Sequence, residues 1–234
     1  QKRPDALVVD ELVEQALHYA THLPGVEEFV LEDQHALRYL SELLVRAHAA
    51  GVRPVRWLFA ARADSFVREL PRVRAAIAAA EEVGQSIEVY LSGFEAFSEG
   101  ELARYNKGAG VADLLAAVRE MRILHREHPA SFYYARARGH SLILWSPWTT
   151  PEDLRETVDN VRTHGLAELF SELGRNRLRL YPDLPIYYAA KRDGALLDHW
   201  DECDEGAGRR EGYGVERPWR FLDPRTRLAY DLAS

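Results

Sequence analysis

The 234-residue chain carries 37 acidic against 30 basic side chains, a net charge of −7, and is 47% hydrophobic, enough for the core of one large domain with an appendage. The negative balance, with Lys and Arg dispersed, argues against capture of nucleic acid or an anionic membrane surface, and no apolar run approaches the roughly 18 to 20 residues that span a bilayer. One cysteine, Cys203, excludes an intrachain disulfide and a multi-thiolate metal centre built from this chain alone.

The apolar stripe Val8, Val9, Leu12, Val13, Ala16, Leu17, Ala20 predicts a helix to Leu23, with Pro4 and Asp5 as its start. A short strand at Glu28 to Leu31 leads to the polar corner Glu32, Asp33, Gln34, then a helix from His35 to Ala50 closed by Gly51. Val55 to Ala61 reads as a strand, Phe66 to Glu82 as an Ala-rich helix, Ile87 to Leu91 as a strand and Val111 to His125 as a helix. Ser131 to Trp145 is expected to be mostly extended with a turn at Gly139. A helix follows from Pro151 to Thr163 with proline in its first turn. A strand at Arg177 to Tyr181 and a helix from Ile186 to Arg192 complete the alternation, which implies parallel βαβ units and a partial or open barrel. From about Leu197 the chain is charged, glycine-rich and aromatic without clear period. We read it as a C-terminal extension that packs on the barrel or covers its mouth.

In an α/β barrel the ligand sits at the carboxyl ends of the strands. The residues there are Glu32 and Asp33, Arg62 and Asp64, Ser92, Gly93, Glu95 and Ser98, Ser146, Thr149 and Thr150, and Tyr181 and Asp183. This acidic and hydroxylic set suits a ligand bearing an ammonium and hydroxyls, such as an amino acid joined to a ribose. Asn106, Lys107, Gly108 lacks the strand–loop–helix setting of a phosphate loop. Neither Gly-x-Ser-x-Gly nor His-Glu-x-x-His occurs, so hydrolase chemistry finds no support.

Six blocks then carry a resemblance: RPDALVVDELVEQA, FVLEDQHAL, WLFAARADSF, VYLSGFEAFSEGELARYNKG, LILWSPWTTPEDLRETVDNVRTHGL and LRLYPDLPIYYAAKRDGAL. Each is weak alone, but in unbroken order from residue 3 to residue 196 they resemble the radical S-adenosylmethionine superfamily, in its methylthiotransferase and cobalamin-associated branch. The resemblance implies a partial (β/α) TIM-like barrel core over residues 1–196 and an extension over 197–234. It implies S-adenosylmethionine and a 4Fe-4S cluster as cofactors, with cobalamin a candidate in the intact protein. It also implies a small-molecule or peptide substrate, an electron donor such as a flavodoxin or ferredoxin, and a cytoplasmic location, for which the absence of a signal-peptide pattern also speaks. Glu32 or Asp33 would receive the methionyl ammonium and Arg62 the carboxylate. Glu95, with Ser98 nearby, would meet the ribose or the surroundings of the carboxylate, and Trp145, Ser146 and Pro147 would line the adenine.

Departures from the pattern carry their own expectations. Phe97 and Trp148 stand where relatives commonly have glycine, which narrows the pocket. Relatives hold the cluster with a CxxxCxxC loop after the first strand, and no such loop is present. Because the chain begins at Gln1 rather than Met, we expect a fragment whose first strand and cluster loop lie upstream, and which does not perform the reaction alone. The alternatives are a cluster-less barrel acting as a binding module and an unrelated barrel lyase using Glu95 and Lys107. Blander readings stand beside the roles: a helix cap for Asp33, charge neutralisation for Arg62, a salt bridge for Glu95, packing for Trp148. His199, Asp201 and Cys203 read as a solvated acidic loop rather than a metal site, and His125 and His128 as surface residues at a helix end.

Overall fold

The computed structural model describes residues 5–136, 139–170, 176–182, 184–199 and 216–233. The chain divides into two compact units. The first comprises Gln1–Phe94, Ala112–Ser141 and Glu168–Ser171, and the second Glu95–Val111, Leu142–Ala167 and Glu172–Ser234.

The first unit is built on parallel strands β1 (Glu28–Leu31), β2 (Arg56–Ala61), β3 (Ser86–Glu95) and β4 (Phe132–Tyr133), neighbours in the order in which they occur along the chain. Strand order equal to chain order means that each crossover helix returns to the same side, the winding of a (β/α) barrel rather than of a doubly wound sheet. The path is open, so the chain is an α/β protein with a partial, unclosed barrel sheet. Helices Asp5–His22, Leu40–Ala49, Leu70–Glu82 and Val111–Glu127 alternate with the strands. Two-residue periodicity places Phe29, Trp57, Phe59, Ile87, Val89 and Phe132 on one face, and all but Phe29 are buried. Phe29 stacks near Trp57 at 5.1 Å and Phe132 near Phe66 at 6.3 Å.

The opposite face carries charge. Arg56 lies opposite Glu28 in register, and Glu88 opposite Tyr133. The Arg56 guanidinium pairs with Glu28, places its Nε 3.1 Å from Glu88 Oε2, and sits 5.6 Å from the Tyr133 ring centre. Glu88 is fully buried. Branched aliphatic residues usually fill this face of a barrel sheet; here a three-strand ion ladder does.

Several elements differ from expectation for identifiable reasons. The helix expected over Phe66 to Glu82 is two helices, Ala63–Arg68 and Leu70–Glu82, because Pro71 withholds an N–H and forces a restart with Glu69 as cap. The helix expected from His35 begins as a 3-10 turn, Ala36–Arg38, before Leu40–Ala49. The extended stretch after Ser131 reduces to β4 and a second two-residue strand, Ser141–Leu142.

The second unit holds helices Glu99–Arg104, Pro151–Thr163, Pro185–Arg192 and Pro224–Ala233. The strand expected at Arg177 to Tyr181 is present as isolated bridges, parallel between Trp145 and Arg177 and antiparallel between Leu180 and Arg217. Trp145, Leu178, Leu180, Ala190, Trp219 and Phe221 form its core. Pro151 to Thr163 is helical as expected, and its start is a capping box: Thr150 Oγ1 accepts from Asp153 N at 3.1 Å and Asp153 Oδ2 from Thr150 N at 3.0 Å. The final helix follows a cap the aperiodic tail did not suggest, Asp223 Oδ1 accepting from Arg225 N at 2.8 Å.

Candidate functional site

The polar residues expected at the strand ends fall in both units. In the first, Glu32 is exposed just after β1. Asp33 is committed locally: it accepts from the His35 amide at 2.8 Å and from the Tyr39 hydroxyl at 3.1 Å. Burial, and then the Asp33 charge, push the Tyr39 phenol well above the ordinary phenol range. Arg62 is exposed and its Nε donates to Asp64 Oδ1 at 3.0 Å. Burial pulls the Asp64 carboxyl upward, but hydrogen bonding and charge from Arg62, with the charge of Arg68, outweigh it and leave the group below its usual value.

In the second unit, Glu95 ends β3 with φ +63°, a left-handed backbone that a residue with a Cβ adopts at a cost. Its carboxylate meets Lys107 Nζ at 2.5 Å. Lys107 and Glu95, the pair named for the lyase alternative, are thus engaged with each other.

Ser98 is fully buried and caps helix Glu99–Arg104, accepting from Glu101 N at 3.4 Å while donating to Asp153 Oδ1 at 2.7 Å. Ser146, also fully buried, exchanges a hydrogen bond with Thr149 Oγ1 at 2.9 Å and lies 3.3 Å from both oxygens of Glu101. Trp145 is buried edge-on against Phe221 at 6.1 Å and Tyr230 at 5.3 Å. Pro147 is buried, and its carbonyl accepts from Leu222 N at 2.8 Å. Thr226 Oγ1 donates to the Thr149 carbonyl at 2.7 Å, so residues 216–233 are bound to the Trp145–Thr150 corner by main-chain groups as well as rings. Trp148, expected to narrow a pocket, donates from Nε1 to Asp193 Oδ2 at 2.9 Å and borders an open depression of about 600 Å³ with Arg104, Thr150, Leu222 and Pro224. Phe97, the other bulky departure, is fully buried and its carbonyl accepts from Asn160 Nδ2 at 2.9 Å.

A buried acid of this corner, Glu101, was missed by sequence reasoning. It is 2% exposed, and burial raises its carboxyl above the ordinary value despite Tyr105, Arg104 and Thr149. Arg104 NH1 joins Glu101 Oε1 at 2.9 Å to Asp153 Oδ2 at 2.7 Å. Burial would raise Asp153 too, but hydrogen bonds from Ser98, Thr150 and Arg104 hold it below the usual range. Two neighbouring carboxyls are thus driven in opposite directions by burial on one side and hydrogen bonding on the other. The available signals were the Glu101/Arg104 spacing and the Thr150–Asp153 capping box.

A second cavity, about 260 Å³ and within the first unit, is bordered by Glu28, Arg56, Ser86 and Arg136. It lies where β1, β2 and β3 begin, at the opposite end of those strands from Glu32 and Arg62.

A 4Fe-4S cluster needs three thiolates, and the chain has one cysteine. Cys203 and Asp201 lie outside the described residues, as does Asp183. Among the described residues no three His, Cys, Asp or Glu side chains group as metal ligands, so these residues do not fit a cluster. Of the residues expected to contact an amino acid joined to a nucleoside, Glu32 and Arg62 are exposed in the first unit, Arg62 being paired with Asp64; in the second, half-buried Glu95 pairs with Lys107, and the Ser98 and Ser146 hydroxyls are engaged by Asp153 and Thr149. No described helix is long and apolar enough to cross a membrane.

No protein-family model matches the sequence, and a search of curated proteins finds no match. Among solved structures the chain is similar to the cobalamin-dependent S-adenosylmethionine radical enzyme OxsB. The match is seen both with aqua-cobalamin and S-adenosylmethionine bound and with aqua-cobalamin alone, at a TM-score of 0.63 and 13% identity in each case. It covers 96% of this chain and 36% of the OxsB chain, so the chain spans about a third of that enzyme's length. At 13% identity, what the two share is the fold.

Proposed function

We propose that this chain is the S-adenosylmethionine-binding core of a radical S-adenosylmethionine enzyme whose cluster thiolates lie outside these 234 residues. The observation that carries the reading is the likeness to OxsB over 96% of the chain, supported by the ordered blocks that resemble the superfamily. In this reading Glu32 receives the methionyl ammonium, assisted by Asp33, and Arg62 binds the carboxylate through a charge-assisted hydrogen bond. Glu95 accepts from ribose hydroxyls. Ser98 fixes the helix that follows Glu95, and Trp145, Ser146 and Pro147, buried and engaged by their own neighbours, support their corner from within rather than line the adenine. A cluster held by thiolates outside these residues would supply the reducing electron for radical chemistry; the part of this chain would be to bind and orient S-adenosylmethionine and to exclude water. Cobalamin, the electron donor and the substrate belong to the same proposal for the intact protein.

The single cysteine favours one second reading, a cluster-less barrel that binds ligand without turnover. Isothermal titration of the 234-residue protein with S-adenosylmethionine tests what the two readings share. Binding that weakens at least tenfold in Glu95→Gln and in Arg62→Gln is expected; no heat at millimolar ligand, or affinity indifferent to both substitutions, would sink the assignment. Anaerobic reconstitution of the protein extended upstream separates the readings, since only the enzyme turns brown and yields 5'-deoxyadenosine with dithionite.

A further inference from the structure

His140, in the first unit, is 2% exposed and has no role in the ligand contacts above. Its Nδ1 lies 2.9 Å from the Ser92 amide nitrogen, and its Nε2 is hydrogen-bonded to the Tyr134 carbonyl. The two bonds together fix the tautomer. An amide N–H only donates, so Nδ1 is the bare acceptor; a carbonyl only accepts, so Nε2 carries the proton. The imidazole thus ties the carboxyl-terminal part of β3 to the chain that leaves β4.

The surroundings leave this ring little alternative. Gly139, beside it, has no room for a side chain: a Cβ there would lie 2.4 Å from the Tyr90 carbonyl oxygen and 2.9 Å from the Tyr90 ring. Phe94 packs on the imidazole at 5.5 Å, and Phe94 in turn meets Phe170 edge-on at 6.3 Å. Bridges from Gly139 and His140 to Phe170 close the other side. The titratable groups on the packed elements are Tyr90, whose ring lies beside Gly139, Tyr134, whose hydroxyl donates to Glu168 at 3.0 Å, Glu168 itself with its partner Arg122 at 2.9 Å, and His125, bonded to the Phe132 carbonyl. None of them hydrogen-bonds the His140 ring in place of the Ser92 amide.

We propose that His140 is a positioning residue and a proton-sensitive latch: neutral, it holds the β3 main chain at Ser92, three residues before Glu95; protonated, it sets a second donor against the Ser92 amide and releases it. The corner concerned is the one to which the proposed function assigns ribose contacts, and to that extent the inference rests on that reading. Burial lowers the His140 pKa, opposed by the Tyr134 carbonyl, so the neutral form dominates near pH 7.

The test is nuclear magnetic resonance of the ¹⁵N-labelled 234-residue protein. The imidazole should appear as the Nε2–H tautomer at pH 7.5 and titrate below about 6.5. Ser92 amide protection should fall by about fivefold, the factor for one lost hydrogen bond, with the same midpoint. His140→Gln and His140→Phe should both remove that midpoint, and the phenylalanine variant should leave Ser92 unprotected throughout. An Nδ1–H tautomer, or Ser92 protection that ignores the His140 titration, overturns the latch. These readouts need no ligand. A latch that titrates as described in a protein that fails to bind S-adenosylmethionine would refute the proposed function and leave this inference standing.

Discussion

Replacing Arg56 by leucine removes the cation from a carboxylate that has no exposure to water. Glu88 is 0% exposed, and Arg56 Nε lies 3.1 Å from its Oε2. Breaking a buried ion pair from one side costs about 3–5 kcal/mol, because the remaining charge keeps its desolvation penalty with less compensation. That is a large part of the roughly 5–15 kcal/mol that holds a typical domain together. The converse, Glu88→Leu, leaves Arg56 with Glu28, which is 41% exposed and partly solvated, so a smaller loss of about 2 kcal/mol is expected. The double variant Arg56→Leu with Glu88→Leu removes both charges and should recover most of the loss, since apolar residues of similar volume can replace buried pairs at little cost. Urea unfolding followed by tryptophan fluorescence reads these differences, Trp57 on β2 being 1% exposed in the folded chain. A loss below about 1 kcal/mol for Arg56→Leu, or a double variant no more stable than that single one, would refute the argument that this pair is energetically closed.

Four further outcomes are expected. Glu101 has a folded pKa raised by burial, so its contribution to stability is present below the unfolded value and lost as pH rises through the folded one; Glu101→Gln should flatten the profile above the ordinary carboxyl range when melting curves are compared. Asp153 runs the other way: its stabilisation is present above about pH 4 and lost on acidification, and Asp153→Asn should reduce acid sensitivity while lowering neutral stability by about 1–3 kcal/mol in denaturant titrations. Ser98→Ala loses both a helix cap and a buried bond to Asp153, for a cost of about 1–2 kcal/mol by chemical denaturation; a neutral effect contradicts the capping geometry. Glu95→Gly should be more stable than Glu95→Ala by about 1 kcal/mol in paired melts, since both lose the Lys107 pair and only glycine relieves the φ of +63°.

Local chemistry was legible wherever it acts over a few residues. Pro151 in the first turn announces a helix start, and the structure begins one there, with a Thr150–Asp153 capping box besides. The apolar runs at Glu28 to Leu31 and Arg56 to Ala61 are strands because their side chains alternate across a pleat. Alternation of those strands with amphipathic helices implied parallel winding, and the consecutive order β1 to β4 follows it. The candidate corners were legible as positions but not as chemistry. Ser98 and Ser146 are polar in sequence and spent on Asp153, Thr149 and Glu101 in the fold.

What the sequence by itself determined is therefore the order and type of the elements and the polar character of the strand ends, since propensity, capping and periodicity are short-range. Only the tertiary structure decided which of those polar groups are buried and what they face. Nothing in the sequence sets Glu101 and Glu88 apart from the other acids, and they are 2% and 0% exposed in the fold. Arg56 meets Glu88 across two strands, and His140 meets Ser92 across 48 residues. Ionisation and tautomer depend on burial and on partners brought together from distant parts of the chain, which no local pattern records.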